Sequence, residues 1–333
     1  MKIPKTLLTV NSFILFTFIA PITYMLWRFV NFSRSISSFF QSWNVFGLMF
    51  NTISVFFAVV FTSVLVGLLI SIVTVRFEFK GSKILFTLCV LPLVIPSYIG
   101  ALTYISAFSP KGLFVQIFNR YGIEEIAGIE GFLGSWLVLT LFTYPYVQLI
   151  CSSALRNLDS TVEDAARSLG VNQFKVYTSV VIPRLKKPII YSSLLVGLYV
   201  ISDFGAVSLM RYSTVTKAIY AYYELSILSD PVIFYSSLLI VLALLISFIQ
   251  RGSATSRSAK VSGTPRIPKK VRLERNGKVL VYSFLGGIIF LGLIIPVAVL
   301  GFWLFRGLYY GTDLTSSIPG ILGSFSASIV TSI

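Results

Sequence analysis

Side chains able to do bond-making chemistry are few in these 333 residues. There is no histidine, there are two cysteines, Cys89 and Cys151, and the 12 acidic residues are scattered without metal-ligand spacing. A zinc or transition-metal site of the His/Cys kind is therefore not expected. No G-x-x-x-x-G-K-[ST] pattern occurs, so the chain carries no loop of that kind for nucleotide phosphates. Cys89 and Cys151 lie inside apolar runs and read as small buried hydrophobes. Two places remain where residue types and spacing suggest work. One is Asp203 with Phe204 and Gly205, an acid inside an apolar run; the other is the polar stretch "VEDAARSLGVNQFKVYTSVVIP", Val162 to Pro183, between two such runs.

The runs themselves fix the physical setting. Of the residues, 56% are hydrophobic and 12% charged, and the apolar ones come in long blocks, which is a membrane composition. A bilayer core about 30 Å thick needs roughly 20 apolar residues per helix, because each backbone N–H and C=O must be satisfied inside the segment. Seven blocks meet that length, at 7–31, 46–75, 84–108, 132–156, 189–210, 232–250 and 279–303, with an eighth opening near Pro319. Pro21, Pro92, Pro96, Pro145 and Pro296 fall inside them and predict kinks or breaks. The first block, preceded by Lys2 and Lys5 and lacking a small-x-small cleavage site, reads as a membrane helix rather than a leader.

Charge then sets orientation. With the N-terminus cytoplasmic, the inner connections hold 20 of the 27 Lys and Arg residues, so the net charge of +15 calls for no nucleic-acid partner. Trp27, Trp43, Trp136 and Trp303 then fall near the outer helix ends, where indole rings favour the interface. The inner connection 251–278 is rich in Ser, Pro and basic residues and reads as a linker on an anionic leaflet. It divides two copies of one unit. Pro21 and Gly47 recur as Pro296 and Gly320 at an offset of about 275, which predicts a first unit over 1–250 and a second, truncated unit over 279–333.

Within 157–188, Ser160 and Glu163 are spaced as a capping box, and Val162, Ala165, Ala166 and Leu169 form one small apolar face. Gly170 suits a left-handed helix end, and a second short helix can run from Asn172 until Pro183 stops it. The spacing alone allows either a segment resting on lipid or a surface for close approach of another protein. The acid at 203 either lines a polar path or bonds to nearby backbone or to Ser202 and Ser208, because a bare carboxylate in lipid is costly.

Here the residues resemble a known family. Asp164-Ala165-Ala166, three residues, Gly170, nine residues and Val180-Val181-Ile182-Pro183 are similar to the EAA loop of binding-protein-dependent ABC importer permeases, E-A-A-x3-G-x9-I-x-L-P. Asp164, Val180 and Ile182 are conservative departures from it. "SDFGAVSLMRYSTVTKAIY", Ser202 to Tyr220, resembles the segment that follows in fused two-unit iron(III) permeases. The resemblance implies an all-α integral membrane protein, a polytopic bundle of the type I importer kind in a bacterial inner membrane. Glu163, Asp164, Ala165, Ala166, Gly170, Ile182 and Pro183 would form the loop that couples to a cytoplasmic ATPase dimer. Asp203, Phe204 and Gly205 are candidates for the translocation pathway. A binding protein would dock outside, and ATP and Mg would be held by the ATPase, leaving this chain without cofactors of its own. Iron(III) is the implied cargo; polyamine, thiamine or sulfate importers share the loop. Tyr212, Tyr220, Tyr222 and Tyr223 read as interface aromatics, with iron ligation the alternative. An ion-coupled secondary transporter would call for more acids or histidines within the membrane than this chain has.

Overall fold

A computed structural model describes residues 5–30, 44–109, 112–118, 128–158, 161–225, 230–254 and 270–309. It is almost wholly helical: α1 (Lys5–Val30), α2 (Val45–Arg76), α3 (Ser82–Val90), α4 (Ser97–Phe108), α5 (Leu113–Phe118), α6 (Gly131–Arg156), α7 (Thr161–Ser168), α8 (Gln173–Val176), α9 (Ile182–Arg184), α10 (Lys186–Ser202), α11 (Gly205–Leu209), α12 (Val215–Leu225), α13 (Asp230–Ala254), α14 (Arg275–Ile289) and α15 (Ile295–Tyr309). Among the described residues four helical stretches are long and apolar enough to cross a bilayer, namely α2, α6, Asp230–Phe248 of α13, and Arg275–Tyr309. Two bent pairs raise that to six, and α1 adds a shorter apolar stretch, Asn11–Met25. The eighth block and Trp43 lie outside the described residues.

The centre is the pairing of α2 with α6. Lipid is as apolar as leucine, so helices in a membrane hold together through close packing and hydrogen bonds rather than burial from water. Accordingly α2 presents Ser63, Gly67 and Ser71 at four-residue spacing, all buried. The Ser63 and Thr143 hydroxyls meet at 2.9 Å, those of Thr62 and Thr140 at 2.8 Å, and Ser71 donates to the Gln148 carbonyl at 3.0 Å. At Gly67 the backbones approach so closely that a β-carbon would stand 2.7 Å from the Tyr144 carbonyl oxygen. Trp136, expected only as an interface anchor, also donates to the Thr62 hydroxyl at 3.1 Å. Cys89 and Cys151 are fully buried, as their surroundings predict.

Two expected spans are not single helices. The 84–108 block runs as α3 and a 3-10 turn (Leu91–Val94), then breaks at Ile95–Pro96 and restarts as α4 with a bend of 96°. Pro96 has no N–H to donate and disfavours helical backbone at Ile95, whose ψ is 117°. The 189–210 block stops at Ser202. By contrast Pro21 and Pro145 stay inside unbroken helices. Pro296 is accommodated differently. A π turn over Phe290–Ile294 precedes it, and in that register the Leu291 carbonyl would look five residues on to Pro296, which has no N–H. The Tyr104 hydroxyl donates to that carbonyl instead, at 2.7 Å.

The same long helix, α14–α15, lies along α3 and α4, with Gly292 against Pro92 and Trp303 donating to Ser106 at 2.6 Å. The end of the linker leading to it is held in place. It forms a two-residue parallel pair, Val271–Arg272 (β2) on Phe77–Glu78 (β1), and Tyr282 donates to the Lys80 carbonyl at 2.8 Å. Replacing Gly67 by Leu should force α2 from α6 and cost about 1–3 kcal/mol, whereas Gly301→Ala, which meets nothing within 4 Å and improves helix propensity, should not destabilise it; thermal unfolding of the purified protein in detergent distinguishes them.

Candidate functional site

The connection between α6 and α10 folds as the expected helix-turn-helix. Ser160 lies outside the described residues, so α7 is seen from Thr161. Its end is as the glycine predicts: Gly170 has φ +77°, and the Val171 N–H reaches back to the Ala166 carbonyl at 3.2 Å, the hydrogen bond that closes a helix on a left-handed residue. A β-carbon at Gly170 would meet nothing within 4 Å, so the demand for glycine is one of backbone conformation alone.

The side chains of α7 divide in a way that periodicity did not indicate. Asp164, Ala165 and Leu169 face outward, Leu169 at 83% exposure, and Ala166 is half-buried. Glu163 turns the other way, into the protein, where it is 1% exposed and accepts from the Arg76 guanidinium at 2.7 Å; Arg76, the last residue of α2, is 2% exposed. A charge so buried is tolerable only when paired. Arg76 looked in the sequence like one more inner-face cation, and nothing local marks it as the anchor of a loop 87 residues away.

The second arm of the hairpin is seated by packing. Val181 and Leu185, both fully buried, join Val75 of α2 and Leu155 of α6 in one apolar cluster. Ile182 is half-buried and Pro183 exposed, so the buried member of the Val-Val-Ile-Pro run is Val181. Pro183 does not end the helix as expected. A π turn over Tyr177–Val181 shifts the hydrogen-bond register, Ile182 donates to the Tyr177 carbonyl, and the chain continues through α9 before turning by 61° at Leu185 into α10.

Asp203 lies beyond the last turn of α10, in a break of the 189–210 block rather than inside a helix: its backbone is extended, with φ −68° and ψ 122°, and α11 starts two residues later. One carboxylate oxygen accepts the Ala206 N–H at 2.9 Å, capping α11, and the other accepts the Ser97 hydroxyl. Thr216 donates to the Asp203 carbonyl at 3.0 Å. The partner is thus Ser97 of another interrupted span, rather than Ser202 or Ser208; the Ser202 hydroxyl bonds to the Tyr199 carbonyl. Ser97 is the first residue of α4, just past the Pro96 break, so the two broken helices meet at their breaks. Phe204 packs against Tyr220 with tilted rings, centroids 4.2 Å apart, and Gly205 permits contact with Tyr98, whose β-carbon would stand 2.7 Å from one added there. The structure brings all three pathway candidates to this junction and keeps them apart from α7. Tyr212 donates to the Asn51 carbonyl at 3.3 Å, and no cluster of three His, Cys, Asp or Glu occurs among the described residues.

Removing one partner of the buried pair, as in Arg76→Met or Glu163→Leu, should cost about 3–5 kcal/mol, while the double variant should recover most of it; a double-mutant cycle on thermal midpoints measures this. Asp203→Ala leaves the Ala206 N–H and the Ser97 hydroxyl without their acceptor and should cost about 1–3 kcal/mol, whereas Asp203→Asn, with one acceptor oxygen left, should lose less.

Residues 63–256, which include both α7 and the helix-break junction, match the binding-protein-dependent transport system inner membrane component family. The chain is 28% identical over 309 residues to the Fe(3+)-transport system permease protein FbpB 2 of Haemophilus influenzae, covering 91% of this chain and 56% of that protein. It is 28% identical over 155 residues to the sulfate transport system permease protein CysT of Salmonella typhimurium, covering 46% of this chain and 54% of that protein. It spans about half the length of the curated relatives it matches. A bacterial alginate ABC transporter, solved in complex with an alginate pentasaccharide-bound periplasmic protein, has the same fold over 75% of this chain and 93% of its own, at a TM-score of 0.60 and 14% identity. The family match and the fold agree: the chain belongs to the binding-protein-dependent transport system inner membrane components, the multi-pass permeases of ABC importers.

Proposed function

We propose that this chain is the first permease unit, with the start of a second, of an ATP-driven importer that moves iron(III) inward across a bacterial inner membrane. The observation that carries the coupling role is α7. It presents Asp164, Ala165 and Leu169 outward while Glu163 fastens it to α2, an arrangement suited to docking a second protein. That protein is a pair of cytoplasmic ATPase subunits, which hold the ATP and Mg. A push on α7 passes through Arg76 to α2, and through Val181 and Leu185 to α6 and α10. Because α2 and α6 are hydrogen-bonded to each other, they move as one body. The interrupted helices at Ser97 and Asp203 are where the fold can yield, opening a path toward a loaded binding protein outside.

Iron(III) as cargo is supported by the breadth of the resemblance, 91% of the chain for the Fe(3+) permease against 46% for the sulfate permease. Sulfate is the second reading, because the two relatives are equally identical where they match.

The test is reconstitution of the full-length protein with candidate ATPase subunits in proteoliposomes. Stimulation of ATP hydrolysis by an iron-loaded binding protein is expected. Stimulation by a sulfate-loaded protein instead would keep the importer and replace its cargo, and failure to bind any ATPase would overturn the coupling role. Gly170→Val, which strains a left-handed backbone by roughly 1–2 kcal/mol, should separate hydrolysis from uptake, whereas Gly170→Asn should retain transport.

A further inference from the structure

Beside the base of the α7 hairpin is a cavity of about 400 Å³ that the coupling scheme does not use. It opens between the ends of α2 and α6 and the start of α3, and three cations line it: Lys83, Arg156 and Lys270. They come from three separate segments, α3, α6 and the residue preceding β2, so the fold rather than a local run gathers them. Among the described residues no carboxylate lines the cavity. The nearby Glu78 is paired with Arg272, at 3.5 Å.

The remaining chemistry also favours an anion. Arg156 is held over the Phe86 ring, 5.0 Å from its centroid, which orients the planar guanidinium without consuming its N–H donors. Ser82, the first residue of α3, contributes a hydroxyl at the positive end of that helix. Thr87 donates to the Lys83 carbonyl at 3.1 Å and so serves as wall rather than donor.

One further feature indicates which anion. From Lys83 and Thr87 the same face of α3 continues to Leu91 and Val94, and these are apolar and open, Val94 at 76% exposure. A basic cavity that runs into an exposed apolar stripe matches a molecule with a charged head and a hydrocarbon tail. We propose that the cavity binds the phosphodiester headgroup of an anionic phospholipid, with an acyl chain lying along α3. Basic pockets between helices at a membrane face recognise such headgroups through the same charge-assisted bonds. Lys270 then gives the linker a role: the lipid bridges it to the helix ends that flank the coupling hairpin.

Native mass spectrometry of the delipidated full-length protein, titrated with phosphatidylglycerol or with phosphatidylcholine of the same chains, tests this. Wild type should retain phosphatidylglycerol preferentially. The variant K83Q/R156Q/K270Q should lose that preference by about 100-fold, from roughly fivefold for each cation near the surface. K270Q alone, which alters no helix, should show roughly the single step of fivefold. Equal retention by wild type and both variants would overturn the proposal. Displacement by millimolar inorganic phosphate, with phosphate alone raising the melting temperature of wild type but not of the triple variant, would overturn the lipid assignment and give the site to free phosphate.

Discussion

Inside a bilayer no water is available to a backbone amide or carbonyl, so each interruption of a helix must be repaired by another part of the protein. That constraint organises the chain at three points. At Pro96 and at Asp203 the helices end within apolar sequence, and the two ends repair one another: the Asp203 carboxylate takes the Ser97 hydroxyl and the Ala206 amide of α11. At Pro296 the register widens into a π turn and the carbonyl that would be stranded takes the Tyr104 hydroxyl. The helical hairpins cannot slide past these points without exposing a polar group to lipid. The breaks therefore fix how α4, α10 and α14–α15 sit around the α2–α6 pair.

The α7 hairpin obeys a different constraint because it lies outside the apolar runs. It is short, and isolated helices of that length are marginal in water. Its order comes from two attachments to the body, an ion pair and an apolar cluster, placed one on each arm. Glu163 and Asp164 are adjacent in sequence and opposite in direction: the first is turned inward to hold the hairpin, the second outward and exposed. Such a joint is stiff, since a buried charge cannot leave its partner without losing its compensation.

The long helix α14–α15 is fixed in position through the end of the linker that precedes it. That end, just before α14, is tied down by β2 on β1 and by Tyr282 on the Lys80 carbonyl. The helix is thereby delivered to α3 and α4, where Phe79 and Tyr282 pack edge to face with centroids 5.7 Å apart.

Much was legible in the residues alone. Block hydrophobicity reports membrane helices because the cost of unsatisfied backbone is summed over a contiguous segment, so 46–75 and 132–156 match α2 and α6 within a residue or so. The left-handed end at Gly170 follows from local backbone sterics. The EAA-like spacing could be read because the loop is built from near neighbours. Only the tertiary structure decided which prolines break helices: Pro96 does, while Pro21 and Pro145 do not. The outcome depends on whether a neighbouring span can satisfy the freed groups. Likewise Arg76 finds Glu163, Asp203 finds Ser97, and Lys83 joins Arg156 and Lys270, each across scores of residues. Those partners are set by how the helices pack, and packing among apolar spans follows the fit of small residues and a few hydroxyls rather than any periodicity a single segment can display.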